Sequence, residues 1–83
     1  MKMELNDMEF AVTSLSEIHE DNSVPRNVRN QIQVILTTLK DNVELPIKLN
    51  KALNVLGELS NDVNLQGYTR TQIWNIMSVL EKL

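Results

Sequence analysis

The stretch Arg29-Asn30-Gln31-Ile32-Gln33-Val34-Ile35-Leu36-Thr37-Thr38-Leu39 returns 41 residues later as Arg70-Thr71-Gln72-Ile73-Trp74-Asn75-Ile76-Met77-Ser78-Val79-Leu80, and this return decides the fold. Arginine, glutamine, both isoleucines and the final leucine are identical in the two copies. Ile32, Ile35, Leu36 and Leu39, like Ile73, Ile76, Met77 and Leu80, are spaced by one, three and four, which places each set on one face of a helix. The copies extend toward the N-terminus. Met8, Ala11, Val12, Leu15 and Ile18 match Leu49, Ala52, Leu53, Leu56 and Leu59, again apolar at helical spacing. Glu17 and Asp21 recur as Glu58 and Asp62. Residues 8–40 and 49–81 share nine identities, where ordinary composition gives about two.

Each unit therefore reads as two amphipathic helices. The chain is expected to be all-α, a four-helix bundle of two tandem helical hairpins offset by 41 residues. It forms a single domain, 1–83, with units at about 4–41 and 43–83. The punctuation agrees. Asn6 with Glu9 is a capping box for the first helix. Ser23 and its repeat partner Asn64 are good caps for the second and fourth, the fourth running from about Leu65 to Lys82. Pro25 and Pro46 suit first turns. Gly57 and its partner Ser16 are small, as a close approach of helices requires. A period near 41 with two helices per unit lies in the HEAT range. Two units are too few for a solenoid, whose end faces stay apolar, so the hairpins are expected to close on each other.

Composition narrows the function. Eighty-three residues make one small domain. With 42% hydrophobic and 23% charged residues the chain is too apolar for disorder. The formal charge of −3 gives no field that favours phosphate, so DNA is not expected as a partner. No apolar run approaches the ~20 residues of a membrane span, and no secretory leader is expected. There are no cysteines and one histidine, so no thiolate chemistry, no cysteine-based zinc site and no cofactor is expected. His19, beside Glu17, Glu20 and Asp21, matches no metal motif and reads as a helix-end histidine.

The segments Ser23-Val24-Pro25-Arg26-Asn27-Val28-Arg29, Ser60-Asn61-Asp62 and Arg70-Thr71-Gln72-Ile73-Trp74-Asn75-Ile76 resemble the signature stretches of a family of small uncharacterised archaeal proteins. The resemblance spans nearly the whole chain. It implies an all-helical, four-helix, bromodomain-like bundle in a cytoplasmic protein, and it implies no activity. Similar proteins carry prolines near positions 63 and 66. Val63 and Gln66 stand there in this chain, so its second turn is expected to be looser.

Three constellations are candidates for function. Asp21 with Arg29 and Asp62 with Arg70 are expected as structural salt bridges across the two turns, ahead of an acid–base ligand site. Ser23, Arg26 and Arg29 form a candidate anion contact at a helix N-terminus. Trp74, Phe10 and Tyr68 stand where the other unit has the polar residues Gln33, Lys51 and Asn27, so they are a candidate interface. No hydroxyl has a base and an orienting acid at suitable spacing, and the two glycines form no phosphate loop. The expected function is a non-catalytic protein–protein interaction module, with a protein partner or a second copy as its target and no small-molecule substrate. The alternative is an accessory of an RNA–protein complex, touching RNA through Arg26, Arg29 and nearby lysines such as Lys40, Lys48 and Lys51.

Overall fold

The structure is a computed structural model, and it describes residues 6–83. The expected start of the first unit, near residue 4, lies outside the described residues. The chain forms four helices, α1 (Asp7–Glu20), α2 (Arg26–Lys40), α3 (Leu45–Ser60) and α4 (Gly67–Leu80). The all-α reading is correct, and no strand occurs among the described residues. None of these helices is long and apolar enough to cross a membrane.

The helices pack in a ring. α1 touches α2, α2 touches α3, α3 touches α4, and α4 returns to α1, so the bundle closes within one chain. Short connections make sequential neighbours antiparallel. The ring has the symmetry of the repeat: exchanging α1 with α3 and α2 with α4 turns the α1–α4 contact into the α2–α3 contact. The core obeys the same rule. Ala11, Leu15, Ile18, Val24, Ile32, Ile35 and Leu39 are buried, and so are their counterparts Ala52, Leu56, Leu59, Leu65, Ile73, Ile76 and Leu80. The buried polar residue of this core, Thr69, stands at the counterpart of buried Val28.

The helix starts are less regular than the sequence suggests. Asn6 caps α1, its side chain accepting the Glu9 N–H at 2.7 Å. Pro46 lies in the first turn of α3. Ser23 and Asn64, however, do not cap. The N-cap residues of α2 and α4 are Pro25 and Gln66, and neither makes a side-chain capping bond. The fourth helix consequently begins at Gly67, two residues later than expected. Gly57 lies inside α3 near Met77, and a methyl group there would meet the Met77 Cε at 3.8 Å. That is ordinary contact with the end of a flexible side chain, so the helix approach does not require a glycine.

Candidate functional site

The two intra-hairpin turns, 21–25 and 62–66, share their backbone and Asx-turn bonds. The Asp21 N–H donates to the Ile18 carbonyl at 3.2 Å and the Asp62 N–H to the Leu59 carbonyl at 3.1 Å. Val24 and Leu65, both buried, donate back to the carbonyls of Asp21 and Asp62 at 3.1 Å. The carboxylates of Asp21 and Asp62 accept the N–H groups of Ser23 and Asn64, each at 2.9 Å. This is the Asx turn, in which the side chain replaces a backbone acceptor. Ser23 and Asn64 thus belong to these turns, two residues before the N-cap positions Pro25 and Gln66. The Ser23 hydroxyl also donates to the Asp21 carboxylate, at 2.7 Å.

The arginines take carbonyl oxygens where the sequence reading expects carboxylates. Arg29 Nε donates to the Val24 carbonyl at 3.0 Å. Arg70 Nε donates to the Ser60 carbonyl at 2.8 Å, and its Nη2 to the Asp62 carbonyl at 2.7 Å. The physical reason is supply. Ser60 ends α3, where a helix leaves carbonyls without partners that a guanidinium satisfies, and the Val24 and Asp62 carbonyls belong to the turns themselves. The guanidinium hydrogen bonds of both expected Asp–Arg pairs thus go to carbonyl oxygens, while the charge of Arg29 still acts on Asp21. Both bonds from Ser23 hold the Asp21 carboxyl below its ordinary value of 3.8, and the charge of Arg29 adds to this.

This arrangement leaves little for chemistry. In the candidate anion contact of Ser23, Arg26 and Arg29, both the N–H and the hydroxyl of Ser23 already donate to the Asp21 carboxylate. Arg26 is exposed at the start of α2. Among the described residues, no group of three or more histidine, aspartate and glutamate side chains could hold a metal ion. His19 lies in the last turn of α1.

The aromatic residues lie on the surface, on two neighbouring helices. Phe10 of α1 is 39% exposed, and Tyr68 and Trp74 of α4 are 71% and 53% exposed. Their polar counterparts Lys51, Asn27 and Gln33 are exposed as well. The repeat therefore preserves the exposure of these positions and changes their chemistry, aromatic on α1 and α4 and polar at the counterparts on α2 and α3.

Sequence reasoning missed one feature. A cleft of about 340 Å³ opens where the start of α3 meets the C-terminal end of the chain, lined by Leu45, Pro46, Leu49, Leu53, Leu80 and Leu83. Periodicity assigns residues to faces of helices and says nothing about their ends. The available signal was the apolar run Leu45-Pro46-Ile47 beside a turn. A second hollow of about 250 Å³, between α2 and α3, is lined by Gln31, Val55, Glu58, Leu59 and Asp62.

Comparison with known proteins places this architecture. A family model described as "Uncharacterised protein family (UPF0147)" matches residues 1–83. A UPF0147 protein of Methanocaldococcus jannaschii is 41% identical over 70 residues, covering 83% of this chain and 75% of the relative. One from Archaeoglobus fulgidus is 37% identical over 76 residues, 92% of this chain and 87% of the relative. The crystal structure of an uncharacterised UPF0147 protein from Thermoplasma acidophilum superposes with a TM-score of 0.90 at 32% identity, over 93% of this chain and 92% of that one. The crystal structure of the unknown-function protein MMP1188 gives 0.87 at 34% identity, over 99% and 98%.

Proposed function

The chain belongs to the UPF0147 family, and from that premise we propose that it is a non-catalytic helical module working in the cytoplasm through contact with another protein. The observation that carries this reading is Trp74, 53% exposed on a regular helix. Tryptophan is rare on surfaces that bind nothing and dominates the energetics of those that do. Phe10, on the helix packed against α4, is a second partly exposed aromatic. The Asp–Arg constellation supports the non-catalytic part, because the side-chain bonds it makes brace the turns. Recovery from native lysate tests the reading, with Trp74→Ala and Phe10→Ala variants of unchanged helicity as comparison. The expected result is a specific protein that the wild type retains after nuclease treatment and the variants lose. Equal recovery by wild type and variants contradicts it.

One observation favours an RNA contact as the second reading. Arg26 is exposed at the first residue of α2, and Pro25 supplies no side-chain acceptor, so first-turn N–H groups stay open to an anion. The charge of −3 weighs against it. Retention abolished by nuclease, with binding that weakens steeply as salt rises, would put this reading first.

A further inference from the structure

The turns inside the hairpins are fastened by more bonds than the connection between the hairpins, although the hairpins themselves pack fully on each other. Each intra-hairpin turn buries an apolar side chain, Val24 or Leu65, closes an Asx turn and receives an arginine. The connection between the hairpins, residues 41–44, has none of these. All four residues are exposed. Its bonds are the Asp41 N–H to the Thr38 carbonyl at 3.1 Å, the Asn42 N–H to the adjacent Asp41 carboxylate at 2.7 Å, a Lys48 ammonium to the Asp41 carbonyl at 3.3 Å, and the N–H groups of Ile47 and Lys48 to the Glu44 carbonyl at 3.1 and 3.3 Å, where α3 begins.

We infer that two copies of this chain exchange hairpins by opening at residues 41–44. In the closed dimer, α1 and α2 of one copy pack on α3 and α4 of the other. The surface that fits the apolar face of a hairpin is the one this chain already makes for it, and a second copy supplies it unchanged. Every buried residue keeps its surroundings, because the α1–α4 and α2–α3 contacts form between chains instead of within one. Only the connection changes. Val43, Leu45 and Ile47 are exposed there in the single chain, and they are the apolar side chains available for new contact between the two opened connections. The exchange is independent of the aromatic surface proposed above.

The test uses the full chain, refolded from denaturant at micromolar and at millimolar concentration, with mass read by light scattering. A shortened chain lacking Asn42 and Val43 and a lengthened chain with Gly-Ser-Gly-Ser inserted after Asn42 are treated alike. The wild type refolded at high concentration is expected to yield a species of twice 9.5 kDa with unchanged helicity. The shortened chain should be dimeric throughout, and the lengthened chain should stay monomeric. A dimer fraction that ignores the length of the connection overturns the inference, and so does an absence of wild-type dimer at high concentration. If the shortened chain fails to fold, wild type against lengthened chain still decides. Trp74→Ala leaves the exchanged dimer intact, so loss of partner binding and loss of exchange are separable.

Discussion

Arg70 Nε lies 2.8 Å from the carbonyl oxygen of Ser60, the last residue of α3, and thereby ties the start of α4 to the end of the helix before it. The same guanidinium holds the Asp62 carbonyl through Nη2. Its repeat partner Arg29 has one such bond, to Val24. The second turn is therefore braced more heavily. The backbone gives the reason: Pro25 fixes the entry to α2 with its ring, whereas Gln66 holds nearly the same conformation, φ −65° and ψ 148°, without one.

Arg70→Ala should accordingly destabilise more than Arg29→Ala. A hydrogen bond from a charged group contributes about 1.5–3 kcal/mol. Part-exposure puts the expected losses at the low end, about 2–3 kcal/mol for the Arg70 pair and about 1–2 kcal/mol for the single Arg29 bond. Thermal melts of both variants check the order. Arg70→Lys should recover little, because an ammonium cannot span the two carbonyls as a planar fork does.

Gln66→Pro should stabilise the protein. The backbone there already suits proline, and the first turn shows that proline is accommodated, with Val24 preceding Pro25 as Leu65 precedes Gln66. Restricting the unfolded chain at a compatible site gains about 0.4–1 kcal/mol. Urea denaturation should show a higher midpoint with an unchanged slope.

Gly57→Ala should also stabilise, by up to about 1 kcal/mol from helix propensity, since the added methyl meets only the Met77 Cε at 3.8 Å. A lowered melting temperature would show that α3 and α4 cannot give at this point.

Asp21 confers a pH dependence on stability. Its carboxyl titrates lower in the folded chain than its ordinary value of 3.8. Its contribution is therefore complete above that value and is lost as pH falls through the folded value. Asp21→Asn keeps an oxygen to accept the Ser23 bonds but cannot ionise. Its melting temperature should lie below that of the wild type at neutral pH, and the gap should close below pH 3.8. A gap that persists undiminished into acid would assign the loss to geometry instead.

The helices and their core were legible because periodicity records burial directly. Ile32 and Ile73, like Leu39 and Leu80, correspond in the repeat, and all four are buried. Turn chemistry was harder to read. Ser23 and Asn64 are strong capping residues, yet each follows an aspartate by two positions and belongs to its Asx turn. The arginine partners were illegible for a related reason. Sequence displays carboxylates and hides carbonyls, so Arg70 reads as the partner of the Asp62 side chain when its partners are the backbone oxygens of Ser60 and Asp62. The cleft at Leu45 and Leu83 depends on how helix ends meet, which spacing along one helix does not encode. The exposed aromatics were visible because the repeat supplies a polar reference at each position, as Gln33 does for Trp74.

The claim that the aspartates and arginines fasten turns separately, leaving the surface to carry function, rests most directly on one thermodynamic cycle. It compares the unfolding free energies of Arg70→Ala, Asp62→Asn and the double variant. Because Arg70 holds the Asp62 backbone and the asparagine can still accept the Asn64 N–H, the Asp62→Asn loss should be less than half that of Arg70→Ala, and the two losses should add to within about 0.5 kcal/mol. A double variant no less stable than Arg70→Ala alone would reveal a carboxylate–guanidinium pair and contradict the account.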